Sequence, residues 1–310
     1  TTGGAAIPEA RPVIMTVADV RSPTDTQAAS AVTVQTLSAD SRVIDEKTDV
    51  ASVAITTGAL GGTLTYIAAA VTAGVVSTHT LKFKTAGRVE QGGRITLAFL
   101  DGENWDMPAA PTIAFVGSSV TADAGGTAWD YASRTLTVVT ASADIAAETQ
   151  VELTVDSARS AAGSQAASEV TVQTLSASSV LIDEKTDVES PAITVGALAS
   201  TLTYELDTAT PGVPSTHTLS FTTSGRVNSG GKITLQFPED EGWDMASAPT
   251  VAFSPAIGSV TVAAGTDAPA WARGTRTLTV TTGGAAIPSA QQVIMTVAAV
   301  RSPTDTQAAS

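Results

Sequence analysis

The sequence predicts an all-β protein built of tandem antiparallel β-sandwiches, and three observations predict it. Short runs alternate apolar and polar residues, with Thr and Val abundant, the pattern of strands half-buried on one face. Gly and Pro turns separate the runs, as at Gly92-Gly93, Thr210-Pro211-Gly212, Gly230-Gly231 and Thr282-Gly283-Gly284. The whole arrangement also recurs along the chain, and no stretch sustains a 3.6-residue period.

The recurrence is close. VTVQTLSA at 32–39 returns at 170–177, IDEKTDV at 44–50 returns at 182–188, and STHTL at 77–81 returns at 215–219. WDM at 105–107 returns at 243–245, and all four pairs are 138 positions apart. Past Val120 the second copy gains four residues, so Trp129 matches Trp271 at an offset of 142. Residues 1–30 repeat at 281–310 with four substitutions. The chain starts at Thr1 without Met or a signal segment, so it reads as a mature product or as a window cut from a tandem array. The expected organisation is residues 1–50 as the C-terminal strands of a preceding sandwich plus an acidic linker. Residues 51–188 form a complete sandwich, and 189–310 a sandwich lacking its closing strand.

Each unit then reads as a succession of strands. They are TLTYELD, HTLSFTT, KITLQFP, TVAFSP, SVTVAA, RTLTVTT and QVIMTVAAV, closed by VTVQTL after the RSPTDTQAAS bend. Alternation places Phe221, Leu235, Phe237, Val251 and Leu278 inside, with Thr222, Thr234 and Gln236 outside. Two sheets of about seven strands in all are the expected solution.

Composition excludes several function classes. A net charge of −14 with only 16 basic residues gives no footprint for nucleic acid or an anionic membrane. The absence of Cys removes disulfide frameworks, zinc ribbons and thiol chemistry. No apolar run approaches the roughly 18 residues a membrane helix needs. A hydrophobic fraction of 43% argues against disorder.

Candidate sites are few. His79 and His217 are equivalent, each opening a strand after Ser-Thr, and no Gly-flanked nucleophile accompanies them, so a structural role outweighs a catalytic one. Tyr66, Phe83, Phe99, Trp105, Phe115 and Trp129 recur as Tyr204, Phe221, Phe237, Trp243, Phe253 and Trp271, which favours core packing over a glycan-stacking face. Trp129 and Trp271, in Gly/Ala-rich surroundings, are the pair expected to be more exposed, and Tyr131 has no counterpart. Acidic clusters are the remaining chemistry. Asp45, Glu46 and Asp49, with Asp183, Glu184 and Asp187, are weak calcium candidates, because linker carboxylates supply the oxygens calcium takes. A second cluster, Asp101/Glu103/Asp106 and Glu239/Asp240/Glu241/Asp244, precedes WDM. No EF-hand spacing occurs, and a solvated acidic loop explains the same residues. No cofactor other than calcium is suggested. The sole asparagines, Asn104 and Asn228, do not correspond and lie in no glycosylation sequon, and the one equivalent lysine pair, Lys47 and Lys185, lies in the linkers, so a repeated Lys–Asn crosslink is not expected.

One resemblance attaches to these residues. HTLSFTTSGRVNSGGKITLQFPEDEGWDM, then TRTLTVTTGGAAIPSAQQVIMTVAAVRSPTDTQAAS and a VTVQT strand, resembles the immunoglobulin-like repeats of extracellular surface proteins. In those repeats a TFTTSG-xx-GG-x-ITLTFP strand pair precedes a V-x-P bend and a closing strand. The resemblance spans almost the whole chain. It implies a secreted or surface-exposed array, such as an adhesin stalk, surface layer or extracellular filament, and it implies no activity.

The function expected is therefore structural and not enzymatic: an extracellular or cell-surface filament, appendage or surface layer built by head-to-tail association of copies. The alternative is an adhesin stalk or binding module for glycan or protein. Strand complementation between copies would draw on Val32, Val34 and Leu37 and on Val293, Met295 and Val297, without nucleic acid or membrane insertion.

Overall fold

A computed structural model describes residues 12–18, 20, 22–23, 26–100, 104–238 and 242–304, the side chains of 199–201 excepted. The chain divides into two units, Thr1–Thr57 and Gly58–Ser310.

The first unit contains a hairpin. β1 (Ala31–Leu37) pairs antiparallel with β2 (Val43–Ala51), from Ala31 opposite Ala51 to Leu37 opposite Val43. A tight turn joins them, with the Ser38 amide donating to the Arg42 carbonyl at 2.8 Å and Ser41 at φ 61°. Every residue of both strands is exposed. Residues 12–17, whose near-copy forms a long strand at the other end of the chain, carry no strand here.

The second unit holds two sandwich-like bodies. In the first, one sheet runs β4 (Gly61–Ala68), β5 (Val76–Lys84), β11 (Gln150–Arg159), β7 (Thr112–Phe115). The facing sheet runs β3 (Gly58–Ala59), β13 (Leu181–Glu189), β12 (Glu169–Leu175), β6 (Arg94–Phe99), β10 (Thr135–Ala141), β8 (Thr121–Ala122), and β9 (Ala128–Asp130) also pairs with β10. All pairs are antiparallel except β13 with β3. Residues from both sheets share one core, Leu81, Phe83 and Leu153 facing Ile95, Leu97, Val138 and Val172.

The second body repeats this with one omission. One sheet runs β14 (Ala199–Leu206), β15 (Pro214–Thr222), β21 (Gln292–Arg301), β17 (Val251–Phe253). Opposite lie β16 (Lys232–Gln236), β20 (Thr277–Gly284) and β18 (Val260–Val262), with β19 (Ala270–Ala272) on β20. No strand among the described residues stands where β12 and β13 stand in the first body, so β16 is an edge. The expected strands are all present, and Phe221, Phe237 and Leu278 are buried while Thr234 and Gln236 are exposed. Leu235 and Val251, expected inside, are half-buried, and Thr222 is half-buried rather than exposed. For Leu235 the reason is visible: its counterpart Leu97 is fully buried because β12 lies beside it.

Each core is centred on a histidine. The Tyr66 hydroxyl and His79 Nδ1 share a hydrogen bond of 2.5 Å, and Tyr204 and His217 are bonded alike. Trp105 stands at 87° to His79 with ring centroids 5.4 Å apart, and Trp243 stands at 87° to His217 at 5.5 Å. Phe99 and Trp129 extend the first cluster, and Phe237 and Trp271 the second. Trp129 and Trp271, expected to be the more exposed aromatics, are therefore buried. Neither histidine has a hydrogen-bond partner at Nε2, and burial lowers His79 to about 4. Burial lowers His217 too, against the raising influence of Asp207. Both rings are neutral packing groups.

The sign of the linkage follows. The unfolded chain takes up a proton on each histidine near pH 6.5, before the folded chain does, so stability falls as pH drops through this interval. Below the folded value of about 4 for His79 the loss is complete, on the order of 3 kcal/mol. Calorimetry at about pH 7 and pH 4.5 should show a smaller drop in unfolding temperature for a His79→Gln, His217→Gln double variant than for the wild type. Equal drops would assign the acid sensitivity to other groups.

Candidate assembly site

The acidic run read from the sequence as a linker is a strand. In the first body, residues 182–188 lie within β13, whose partner β12 is hydrogen-bonded on its other side to β6. The two strands form a hairpin that completes the sheet. Its strand signal is hidden because β13 carries Asp183, Glu184, Lys185 and Asp187 among only a few apolar residues, and such a run reads as a solvated loop.

Asp183 explains the pattern. It is fully buried, and its oxygens accept from the Gly87 amide at 2.9 Å, the Ala86 amide at 3.3 Å and the Thr174 hydroxyl at 3.0 Å. A buried carboxylate is tolerable only with donors of this kind. Two glycines make room: a Cβ on Gly58 would lie 2.3 Å from Asp183 Oδ1, and one on Gly87 would lie 2.4 Å from Ile182 Cγ2. Both glycines recur at 138 positions, as Gly196 and Gly225. That recurrence is the signal the sequence reading passed over.

The other candidate carboxylates go elsewhere. Glu184 accepts from Gln173 Nε2 at 2.7 Å, Asp187 pairs with Lys185 at 2.6 Å, and Asp49 pairs with Lys47. Asp45 accepts the Thr36 hydroxyl at 2.7 Å, and Glu46 is exposed. Asp106 pairs with Arg159 at 3.0 Å and Asp244 with Arg273 at 2.9 Å. Asp101, Glu103, Glu239, Asp240 and Glu241 lie outside the described residues. Among the described residues no group of three or more His, Asp or Glu gathers as a metal site.

The residues expected to assemble fall into two sets. Val32, Val34 and Leu37 lie on β1 and are exposed, Val34 by 52% where its counterpart Val172 is at 0%. Ile44 on β2 is 64% exposed where Ile182 is at 9%. By contrast Val293, Met295 and Val297 lie in the middle of β21, paired with β15 and β17 and buried in their own core. They are not available to a partner, because their sheet is already complete around them.

The two bodies meet through the turn at Thr72–Gly74. Thr72 bridges Thr194, and the Arg226 amide donates to the Gly74 carbonyl at 3.1 Å. A cleft of about 600 Å³ opens at this junction, lined by Asn104, Tyr131, Arg134, Arg159, Arg226 and Asn228 among others. Arg226 lacks the carboxylate that its counterpart Arg88 finds in Asp144, because Ala286 stands at that place. The sequence reading missed this cleft, apart from marking Tyr131 as unrepeated.

Removing the buried carboxylate should be costly. Asp183→Ala leaves two amides without their acceptor and should destabilise the first body by about 3 kcal/mol, read by urea unfolding. Asp187→Ala, at an exposed site, should stay within about 0.5 kcal/mol of wild type. A similar loss for both variants would remove Asp183 from its assigned role.

No known family matches the chain, and no curated protein matches it. Among solved structures it is similar to a chain described as "Complete structure of manganese lipoxygenase of Gaeumannomyces graminis and partial structure of zonadhesin of Komagataella pastoris". The identity is 17% over 78% of this chain and 84% of that one, and the TM-score of 0.23 is too low to support an argument about fold or activity.

Proposed function

We propose that this is a structural repeat protein, not an enzyme, whose immunoglobulin-like sandwiches associate head to tail into an extracellular filament, appendage or surface layer. The observation that carries the reading is one exposed hairpin and one uncovered sheet edge in the same chain. They correspond in sequence to the two sides of the contact that β12 and β6 make inside the first body. Near-duplicate bodies with the same aromatic cluster support it, since repetition of the scaffold is what a polymer uses. The acidic balance of −14 favours solubility of the separate copies. A heterologous contact of this type propagates unless a rotation closes it into a ring.

The junction cleft, with Tyr131 and the arginines, favours the second reading, an adhesin stalk that binds glycan or protein. Negative-stain micrographs of native material separate the two. Regular polymers with an axial repeat are expected, and single whisker-like molecules would replace the filament reading by the stalk.

A further inference from the structure

We propose that the β1–β2 hairpin of one copy of this chain docks on the outer edge of β16 of a second copy, in the register β12 keeps on β6, and that Asp45 seals the joint through the Ser224 and Gly225 amides. The proposal rests on the head-to-tail reading above and names its two surfaces and its lock.

The donor is a near-copy of a segment already seen docked. Residues 31–51 and 169–189 are identical at sixteen of twenty-one positions. Their ladders coincide pair for pair, Val32 opposite Val50 as Val170 is opposite Val188, and Val34 opposite Lys47 as Val172 is opposite Lys185. Even the two register irregularities fall at the same places. The hairpin therefore has its docked conformation while both its faces are exposed, so little ordering is left to do on binding.

The acceptor matches in the same way. β16 reads KITLQ and continues into Phe237, where β6 reads RITLAF, and each holds its inner neighbour with one register, Leu235 opposite Leu278 and Leu97 opposite Leu136. On the first body β12 sets Val170 opposite Phe99, Val172 opposite Leu97 and Thr174 opposite Ile95. Transferred by 138 positions, Val32 stands opposite Phe237, Val34 opposite Leu235 and Thr36 opposite Ile233. The exposed valines are then covered, and Leu235 loses the exposure that distinguishes it from Leu97.

Asp45 supplies the discrimination. It already holds the Thr36 hydroxyl as Asp183 holds that of Thr174. On docking it meets the amides of Ser224 and Gly225, counterparts of Ala86 and Gly87. A hairpin shifted in register would bury this carboxylate without donors, which penalises every wrong alignment. At Gly225 the space along the missing Cβ is held by the Ala73 carbonyl, where at Gly87 it is held by Ile182. Ile44 takes that space on docking, and the Thr72–Gly74 turn moves aside.

The test is an engineered crosslink, clean because the chain has no cysteine. Gln173 and Thr96 face each other across the docked ladder, with Oε1 and Oγ1 3.4 Å apart. A Gln35→Cys, Thr234→Cys chain should therefore oxidise to a ladder of disulfide-linked multimers, and a Gln35→Cys, Gln236→Cys chain, two residues out of register, should not. Adding Asp45→Ala should weaken association by about ten-fold or more, the scale of a lost charge-assisted hydrogen bond. Adding Asp49→Ala should leave it unchanged, because Asp187 stays exposed in the docked copy. Asp45 is exposed in the separate chain, so its variant folds. No ladder, an equal ladder from the shifted pair, or a disulfide closed within one chain would each overturn the proposal. Regular polymers without the in-register crosslink would defeat this joint and leave the filament reading standing, and the absence of both would defeat both.

Discussion

The organisation of this protein depends on the fact that a sheet strand offers hydrogen-bonding groups along both of its edges. In the first body β6 lies between β10 and β12, and Ile95 and Leu97 are buried completely. In the second body β16 has β20 on one side only, and Leu235 retains partial exposure although its own residue and its inner partner are the same. Among the described residues, the difference is the β12–β13 hairpin beside β6, which has no counterpart beside β16. Backbone groups left open in this way are a template for another strand, and the chain carries a hairpin of the matching sequence.

Polar groups inside each core are arranged around the same accounting. A Tyr–His pair sits among tryptophan and phenylalanine rings, joined by one hydrogen bond, with edge-to-face contacts filling the remainder. The arrangement keeps the imidazole neutral because desolvation penalises its charged form. Asp183 is the opposite case, a carboxylate accepted into the interior because backbone amides and a hydroxyl meet it. A neutral histidine fills space in any copy of the fold. A buried carboxylate demands one alignment of two segments, so it distinguishes a correct hairpin from a displaced one.

That distinction also explains why the residues expected to assemble were hard to read. Val32, Val34 and Leu37 have the alternation of a strand and were legible as such. The run from Ile44 to Val50 is dominated by charge and looked like a linker, because side chains facing solvent on one side of an edge hairpin resemble those of a loop. Val293, Met295 and Val297 alternate just as well, yet their strand is enclosed by β15 and β17. Alternation identifies a face to be buried and is silent about what buries it.

By itself the amino-acid order determined the all-β class, the repeat offsets, the identity of the core aromatics and the strand succession apart from the acidic β2 and β13, since these depend on local periodicity and on comparison of the chain with itself. Tertiary structure alone decided which copy of a repeated segment becomes a strand. Residues 12–17 carry none, while their near-copy at 292–297 lies within β21. Equally, both strands within 31–51 are exposed on both faces, while those within 169–189 bury Val170, Val172, Ile182, Asp183 and Val188. The physical reason is that a strand is stabilised by neighbours across the ladder and by the facing sheet. Near-identical residues therefore take different states wherever those neighbours differ.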